Sequence, residues 1–357
     1  MGRFDRYLLA VFGRHLLVIG GAVLGTFLLL DLLGNSDEFA QVEAPSAAVA
    51  ADVARYLALK LPAVWLEFAP YLTLLAGLTT ALHLARQREW IPVLGAGRSA
   101  LRAVLPLLLA ALALGAGTAG IRETVQPRLA PLRMALEWRL EDQRPWQMRQ
   151  LLARGRDGTR LLAGVFRPAA GEIEDFEAYG RGPGGEDVLV LADRARWDGG
   201  GWVLAGGRRV VPGRETRPAE RFEAEGLAPA DLLRAAFARV APLELSSAQL
   251  REVLARDPGH RQAATLIWAW RAAPLAHLVL LLLGLPFVLR FDRRSAVEGL
   301  GLGLLLGLLY FVAEIVLRDL AGRGALPPFW GGAGALLLFG AWAVLGWRPP
   351  GTARRSG

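Results

Sequence analysis

Hydrophobic positions along the chain gather into six long runs, three before and three after a polar stretch at 122–262. Leu16 to Leu33 carries only Asp31, Phe68 to Ala85 only His83, and Ala103 to Ile121 no ionisable group. After the polar stretch come Ala272 to Leu289, Gly299 to Leu317 interrupted by Glu314, and Ala325 to Trp347. Each run is close to the ~20 apolar residues that cross a bilayer as a helix. Hydrocarbon satisfies no backbone polar group, so runs this clean predict spanning helices. Pro62, Pro70, Pro106, Pro274 and Pro286 predict kinks within or beside them, with neighbouring helices satisfying the freed carbonyls. The first run predicts a retained span rather than a cleaved signal peptide. It is long for a signal core, and the acidic run Asn35-Ser36-Asp37-Glu38 follows it directly.

The pattern changes within the insert. A polar helical extension is expected over Arg122 to Glu141, followed by short apolar runs punctuated by glycine. Arg160 to Phe166, Ile173 to Tyr179, Asp187 to Trp197, Trp202 to Ala205 and Arg208 to Val211 predict strands bounded by Gly, Pro and Asp. Asp198-Gly199-Gly200-Gly201, between Trp197 and Trp202, predicts a hairpin turn. A helical or mixed segment is expected from Pro229 to Arg256, with Ser246-Ser247-Ala248-Gln249 able to cap a helix start. The fold class is therefore a polytopic α-helical membrane protein of six transmembrane helices with an inserted antiparallel β domain, a sandwich or jelly roll. Its parts are helices one to three at 1–121, the β domain at 122–262 and helices four to six at 263–357.

Charge sets the expected orientation, because basic residues in short loops stay on the cytoplasmic side. Arg3, Arg6 and Arg14 precede the first span, Arg86, Arg88, Arg98 and Arg102 separate the second and third, Arg290, Arg293 and Arg294 follow the fourth, and Arg348, Arg354 and Arg355 close the chain. The opposite short loops are poorer in base. Asn35 to Lys60 sets Asp37, Glu38, Glu43 and Asp52 against Arg55 and Lys60, and the turn before the last span holds Arg318, Asp319 and Arg323. Both termini are therefore expected in the cytoplasm and the β domain outside. The formal charge of +8 reports this topology more than a nucleic-acid ligand. Lys60 is the only lysine and lies in Leu59-Lys60-Leu61, so the chain has no Gly-Lys-Ser/Thr phosphate loop of its own. With no cysteine, the outer domain must be held by its core alone.

Local sequence adds a family resemblance. The opening Asp5-Arg6-Tyr7-Leu8 and Asp37-Glu38-Phe39, Pro62 and Pro70 in the second span, and Arg88-Glu89 with Ala96-Gly97 before the third follow one another in order. Ala195-Arg196-Trp197 and Trp202-Val203-Leu204 stand in the insert. Pro274, Gly284-Leu285-Pro286-Phe287, a glycine-rich fifth span ending near Tyr310 and Gly324-Ala325-Leu326-Pro327-Pro328 complete the series. In order and spacing the chain resembles the lipopolysaccharide-export permease family of the LptF/LptG (YjgP/YjgQ) type, over nearly its whole length, and leans toward the LptG-like partner.

That resemblance implies a transport subunit of the bacterial inner membrane rather than an enzyme. Its implied partners are a second, homologous permease, a dimeric cytoplasmic ABC ATPase of the LptB type, and periplasmic bridge proteins of the LptC and LptA type; no nucleic acid is implied. The pair would lift lipopolysaccharide out of the inner membrane and pass it along β domains toward the outer membrane. A shielded path is needed because wetting acyl chains costs about 0.8 kcal/mol per CH₂. No cofactor is expected on this chain, since ATP and Mg belong to the ATPase. The resemblance also places ATPase coupling at a short cytoplasmic helix near 86–97, over Arg86-Gln87-Arg88-Glu89-Trp90, with Glu89 the polar anchor. Arg86 and Arg88 equally serve the orientation rule.

The resemblance further implies lateral gates at the first and fifth spans, which puts Phe27, Leu28, Leu30, Tyr310 and Phe311 near a lipid cavity; helix packing is the competing role for each. Asp31 and Glu314 are costly in a membrane unless paired or wetted, so they are candidates for function or for pairing with an arginine at a helix end. Some relatives place lysines near the outer end of the first span, suited to lipid phosphates, where this chain has Asp31, Asp37 and Glu38. Lipid-phosphate contact then falls to Arg55, Lys60, Arg318 or Arg323. Two other classes compete with transport: an intramembrane protease, and a membrane-anchored sensor or scaffold displaying the β domain. A protease needs a metal, dyad or Ser-His arrangement, and His15, His83, His260 and His277 are scattered without metal-ligand spacing.

Overall fold

The computed structural model describes residues 2–40, 46–142, 146–182, 185–288 and 293–346. Glu43, Leu289, Arg290, Trp347, Arg348, Arg354 and Arg355 lie outside them. The chain divides into two compact units, Met1–Asn35 with Lys60–Val125 and Ala264–Gly357, and Ser36–Leu59 with Gln126–Ala263.

The first unit holds the six apolar helices. They lie in α1 (Arg3–Gly34), α3 (Ser46–Arg86), α5 (Ala100–Thr124), α9 (Arg261–Val288), α10 (Arg293–Gly322) and α11 (Pro328–Gly346), and α4 (Trp90–Gly95) is a short helix between α3 and α5. Most overrun the apolar runs that predict them, because helical hydrogen bonding continues into the polar flanks where water can solvate the side chains. One core joins all six, with Leu8 and Phe12 of α1, Leu78 of α3, Leu107 of α5, Leu281 of α9, Tyr310 of α10 and Leu336 of α11 in a single buried cluster. Pro62, Pro70, Pro106, Pro274 and Pro286 all lie inside helices. Close approach of α5 and α9 depends on Gly115, where any Cβ would collide with the Pro274 carbonyl.

The second unit carries the β domain. Its strands are β1 (Met148–Arg154), β2 (Arg160–Arg167), β3 (Glu172–Arg181), β4 (Asp187–Trp197), β5 (Trp202–Ala205), β6 (Arg208–Val210), β7 (Arg217–Pro218) and β8 (Arg221–Phe222). All ladders are antiparallel and form one eight-stranded sheet in the order β1-β2-β3-β4-β5-β8. β5 and β6 pair in one register along the same edge of β4, β5 near Trp197 and β6 near Leu189, with Gly206 and Gly207 between them. The expected antiparallel β domain is thus present, with the strand order of a meander.

β1, β7 and β8 lie outside the predicted strands. β1 shows only a short alternation, Leu151 and Ala153 buried between exposed neighbours, and the other two are only two residues long. Alternation is also broken by a line of irregular positions across the sheet. Gln150, Gly164, Asp175 and Asp193 are skipped in the pairing of β1 to β4, and Gln150 and Asp175 have φ of 52° and 53°. The skipped residues lie opposite one another, so the strand register is the same on both sides, while each strand slips one residue out of phase there and resumes with the same face inward. That is why the buried positions step from Ala163 to Phe166, from Ile173 to Phe176 and from Ala192 to Ala195.

Trp202 is the centre of this core, 1% exposed, its ring 5.3 Å from that of Trp197 and its Nε1 donating to the Leu227 carbonyl at 2.8 Å. The Asp198 turn forms as predicted. Gly199 has φ of 102°, and Asp198 Oδ1 accepts from the Gly200 and Gly201 amides at 3.0 and 2.9 Å.

Helices complete this unit: α2 (Ser36–Ala40), α6 (Gln126–Asp142), α7 (Pro229–Val240) and α8 (Ser247–Arg256). The capping expected at Ser246 is there, with Ser246 Oγ accepting from the Gln249 amide at 3.2 Å and Gln249 Oε1 from the Ser246 amide at 3.0 Å. α6 is separated from α5 only at Val125. The segment Asn35 to Lys60, expected as a short loop, instead contains α2 and the start of α3. It belongs to this unit because Phe39 packs on the buried Tyr56 and Tyr56 donates to Glu137 of α6 at 3.3 Å, with an ion pair between Asp52 and Arg139 beside it. Burial opposes ionisation of Asp231 in α7, yet Arg256 and Arg234, each 2.6 Å away, outweigh it and hold the carboxyl below its usual range.

Candidate functional site

The turn between α3 and α5 is built by a helix C-terminal motif. The Glu89 amide donates to the Leu84 carbonyl at 3.0 Å and the Arg88 amide to the Ala85 carbonyl at 3.3 Å, while Arg88 takes φ of 58°. This is the left-handed residue that ends a Schellman-type cap, here an arginine where glycine is usual. The helix that follows is therefore Trp90–Gly95, one turn later than the Arg86–Trp90 expectation, because residues 87–89 form the reversal itself.

The two halves of the expected coupling motif part company. Arg86 and Arg88 are exposed. Trp90 is instead a core residue, 7% exposed, its ring 6.3 Å from that of Phe4 and its Nε1 3.5 Å from the Ala81 carbonyl. Its bulk and apolar surface, more than its place in the motif, decide where it goes. Glu89 lies half-buried between them. Tyr7 donates to its Oε1 at 3.0 Å, and its Oε2 has no partner among the described residues. Arg98 pairs with Asp5 at 3.1 Å and fixes the same end of α1 against the segment before α5. What the sequence reading missed is Tyr7 as the partner of Glu89, and Ile91, which is 57% exposed on α4. Tyr7 stands in the Asp5-Arg6-Tyr7-Leu8 opening, so its presence was visible although its contact was not.

The acids within the spans are paired. Lys60, the only lysine, bonds to Asp31 at 2.5 Å, both largely buried. Glu314 accepts from Tyr71 at 3.2 Å and is paired with Arg318, whose guanidinium lies 6.0 Å from the ring of Trp270. Arg122 stacks on that ring at 3.8 Å. Arg323 pairs with Asp319. Of the four cations considered for lipid phosphate, Lys60, Arg318 and Arg323 thus hold carboxylates within the chain, and Arg55 is exposed.

The gate residues fall into two groups. Phe27 meets Phe68 at 5.7 Å, Leu28 is half-buried and Leu30 is 63% exposed. On α10, Phe311 packs edge-on against Tyr71 at 5.4 Å, so that it and Glu314 share one partner. Tyr310 points the other way, 3% exposed against Phe339, and is a core residue of the bundle rather than part of an open cavity.

His277 closes a buried polar cluster between α3, α5 and α9, with Nδ1 2.8 Å from Thr73 Oγ1 and Nε2 3.2 Å from Thr118 Oγ1. Thr73 and Thr118 each donate back to a carbonyl of their own helix, those of Ala69 and Gly115, while their hydroxyl oxygens stand against the two ring nitrogens. The histidine locks helices together. His15 and His83 face each other with ring centroids 5.9 Å apart. Among the described residues no group of three or more His, Asp or Glu side chains is placed to hold a metal ion.

Comparison with known proteins bears on the whole chain. Curated proteins give no match. The family described as lipopolysaccharide export system permease LptF/LptG matches over residues 6–348. With three apolar helices on either side of an antiparallel β domain and a match from the first helix to the end of the last, the chain belongs to the LptF/LptG family of membrane permeases.

Proposed function

We propose that this chain is one permease half of an ABC transporter that extracts lipopolysaccharide from the bacterial inner membrane and hands it, through its β domain, to a periplasmic bridge. The family match along 6–348 carries the reading. Burial of the spans supports a second half. α1 and α10 are the least enclosed, with 6% and 22% of their apolar stretch buried within the chain, against 33–50% for the other four. These are the helices whose faces remain for a second permease, for lipid or for cargo.

The arginine-rich end would face the cytoplasm and receive the ATPase at residues 86–95. Ile91 offers an apolar knob there, and beside it Glu89 Oε2 is a buried carboxylate oxygen without a donor among the described residues. A cation from the ATPase that reached Glu89 would complete it, while Tyr7 holds the other oxygen in place. Removing one member of a buried interface pair costs about 2 to 5 kcal/mol. Glu89→Ala is therefore expected to leave the permease inserted and to weaken ATPase association by about tenfold or more. Trp90→Ala should instead damage the turn itself. Unchanged co-purification and unchanged stimulated ATP hydrolysis in Glu89→Ala would contradict the coupling role.

A further inference from the structure

A pocket of about 620 Å³ opens in the second unit between edge strand β1 and helices α7 and α8. Part of its wall is apolar, including Leu152 and Val253, and five arginines face two carboxylates around it. Arg234 and Arg256 are already engaged, since both hold Asp231 and Arg234 also reaches Glu252 at 2.8 Å.

Arg154 and Arg160 are not. They stand directly opposite each other in the β1–β2 register, both are exposed, and no ion pair among the described residues neutralises either. Like charges opposed across neighbouring strands destabilise a sheet. Arg239 brings a third guanidinium to the same pocket, tied among the described residues by a 3.3 Å bond to the Gln150 carbonyl. Next to the arginine pair in the same register lie Leu152 and Leu162, 59% and 38% exposed. Guanidinium forks match phosphate oxygens in bidentate fashion, and the pocket has the size of ordinary small-molecule sites.

We propose that Arg154, Arg160 and Arg239 form a binding site for a phosphate group, whose apolar substituent, where it has one, lies along Leu152 and Val253. The two opposed strand arginines would grip the dianion and Arg239 would close over it. This goes beyond the transport reading and stands or falls without it, because it concerns binding alone.

The test uses the full-length chain in nanodiscs of zwitterionic lipid, titrated calorimetrically with hexyl phosphate, inorganic phosphate and hexanol. Saturable hexyl phosphate binding is expected, weakened by added salt and by about tenfold or more in R154Q/R160Q/R239Q. R194Q removes a charge elsewhere on the sheet and should leave binding unchanged. If hexyl phosphate binds more tightly than inorganic phosphate, the alkyl chain uses the Leu152 wall, and L152N should abolish that margin alone. Equal affinities would assign the site to free phosphate. Protease resistance of the β domain reports folding, and R160Q alone gives the same reading with a smaller drop should the triple variant not fold. Binding that survives the arginine substitutions, or that R194Q weakens equally, overturns the proposal.

Discussion

The membrane-spanning helices and the outer face of the sheet treat charge in opposite ways. Within the helical unit, Asp31 is held by Lys60, Glu314 by Tyr71 and Arg318, and His277 by two threonine hydroxyls. In the β unit, arginines spread over the outer face, and pairs such as Arg194 with Glu174 stand 3.9 Å apart with the arginine 76% exposed. The difference follows from the solvent each unit meets. Lipid offers no hydrogen bonds, so an ionic side chain must bring its partner along. Water solvates an arginine whether or not it is paired.

This comparison can be broken at several points. The largest effect is expected in the β core, which no disulfide supports. Trp202→Ala removes the central ring and leaves the Leu227 carbonyl without its donor, a loss of about 3 to 5 kcal/mol. The full chain should then show rapid proteolysis of its β domain while the helices remain inserted. Next comes Asp31→Asn, expected to cost about 1 to 3 kcal/mol by stranding Lys60, with Asp31→Asn/Lys60→Met recovering most of that loss in a double-mutant cycle on thermal unfolding. If the two substitutions simply add, the pair is not coupled and the contrast between the units fails.

A smaller effect separates buried from exposed charge inside the β unit. The folded carboxyl of Asp231 lies below its unfolded value, so its contribution is complete at neutral pH and is lost as pH falls through and below about 4. Protease resistance of the β domain should decline over that range, and Asp231→Asn should flatten part of the decline. The smallest effect is expected for Arg194→Gln, within about 0.5 kcal/mol of wild type by the same thermal assay. A loss comparable to that of Asp31→Asn would mean that exposed pairs in this sheet are not screened by water.

Much of the helical unit was legible in the sequence, because a bilayer imposes length and polarity that a single chain displays openly. The six helices follow the six apolar runs, with ends displaced into polar flanks. The β strands were legible where alternation is strong, as from Asp187 to Trp197, and at the Asp198 turn. They were hidden in β1, whose alternation breaks at Gln150, and where β7 and β8 are too short to carry a period. The segment 36–59 escaped because its partner, α6, lies far along the chain and local composition says nothing of it.

The candidate sites were legible by residue type and opaque by contact. Glu89 was singled out, but Tyr7 as its partner, 82 positions away, depends on how α1 packs. Trp90 and Tyr310 were grouped by motif with interaction surfaces, whereas their size carries them into the core. Lys60 was visible as the sole lysine, and only the fold identifies Asp31 as the reason for it.

The central claim, an export permease that presents its β domain outside the cytoplasm and its Arg88 turn inside, is tested most directly by labelling. The chain has no cysteine, so single substitutions Arg88→Cys and Gly200→Cys can be compared in spheroplasts with a membrane-impermeant maleimide. The account predicts that Gly200→Cys is labelled in intact spheroplasts and Arg88→Cys only after lysis. Labelling of Arg88→Cys before lysis, with Gly200→Cys protected, would contradict it.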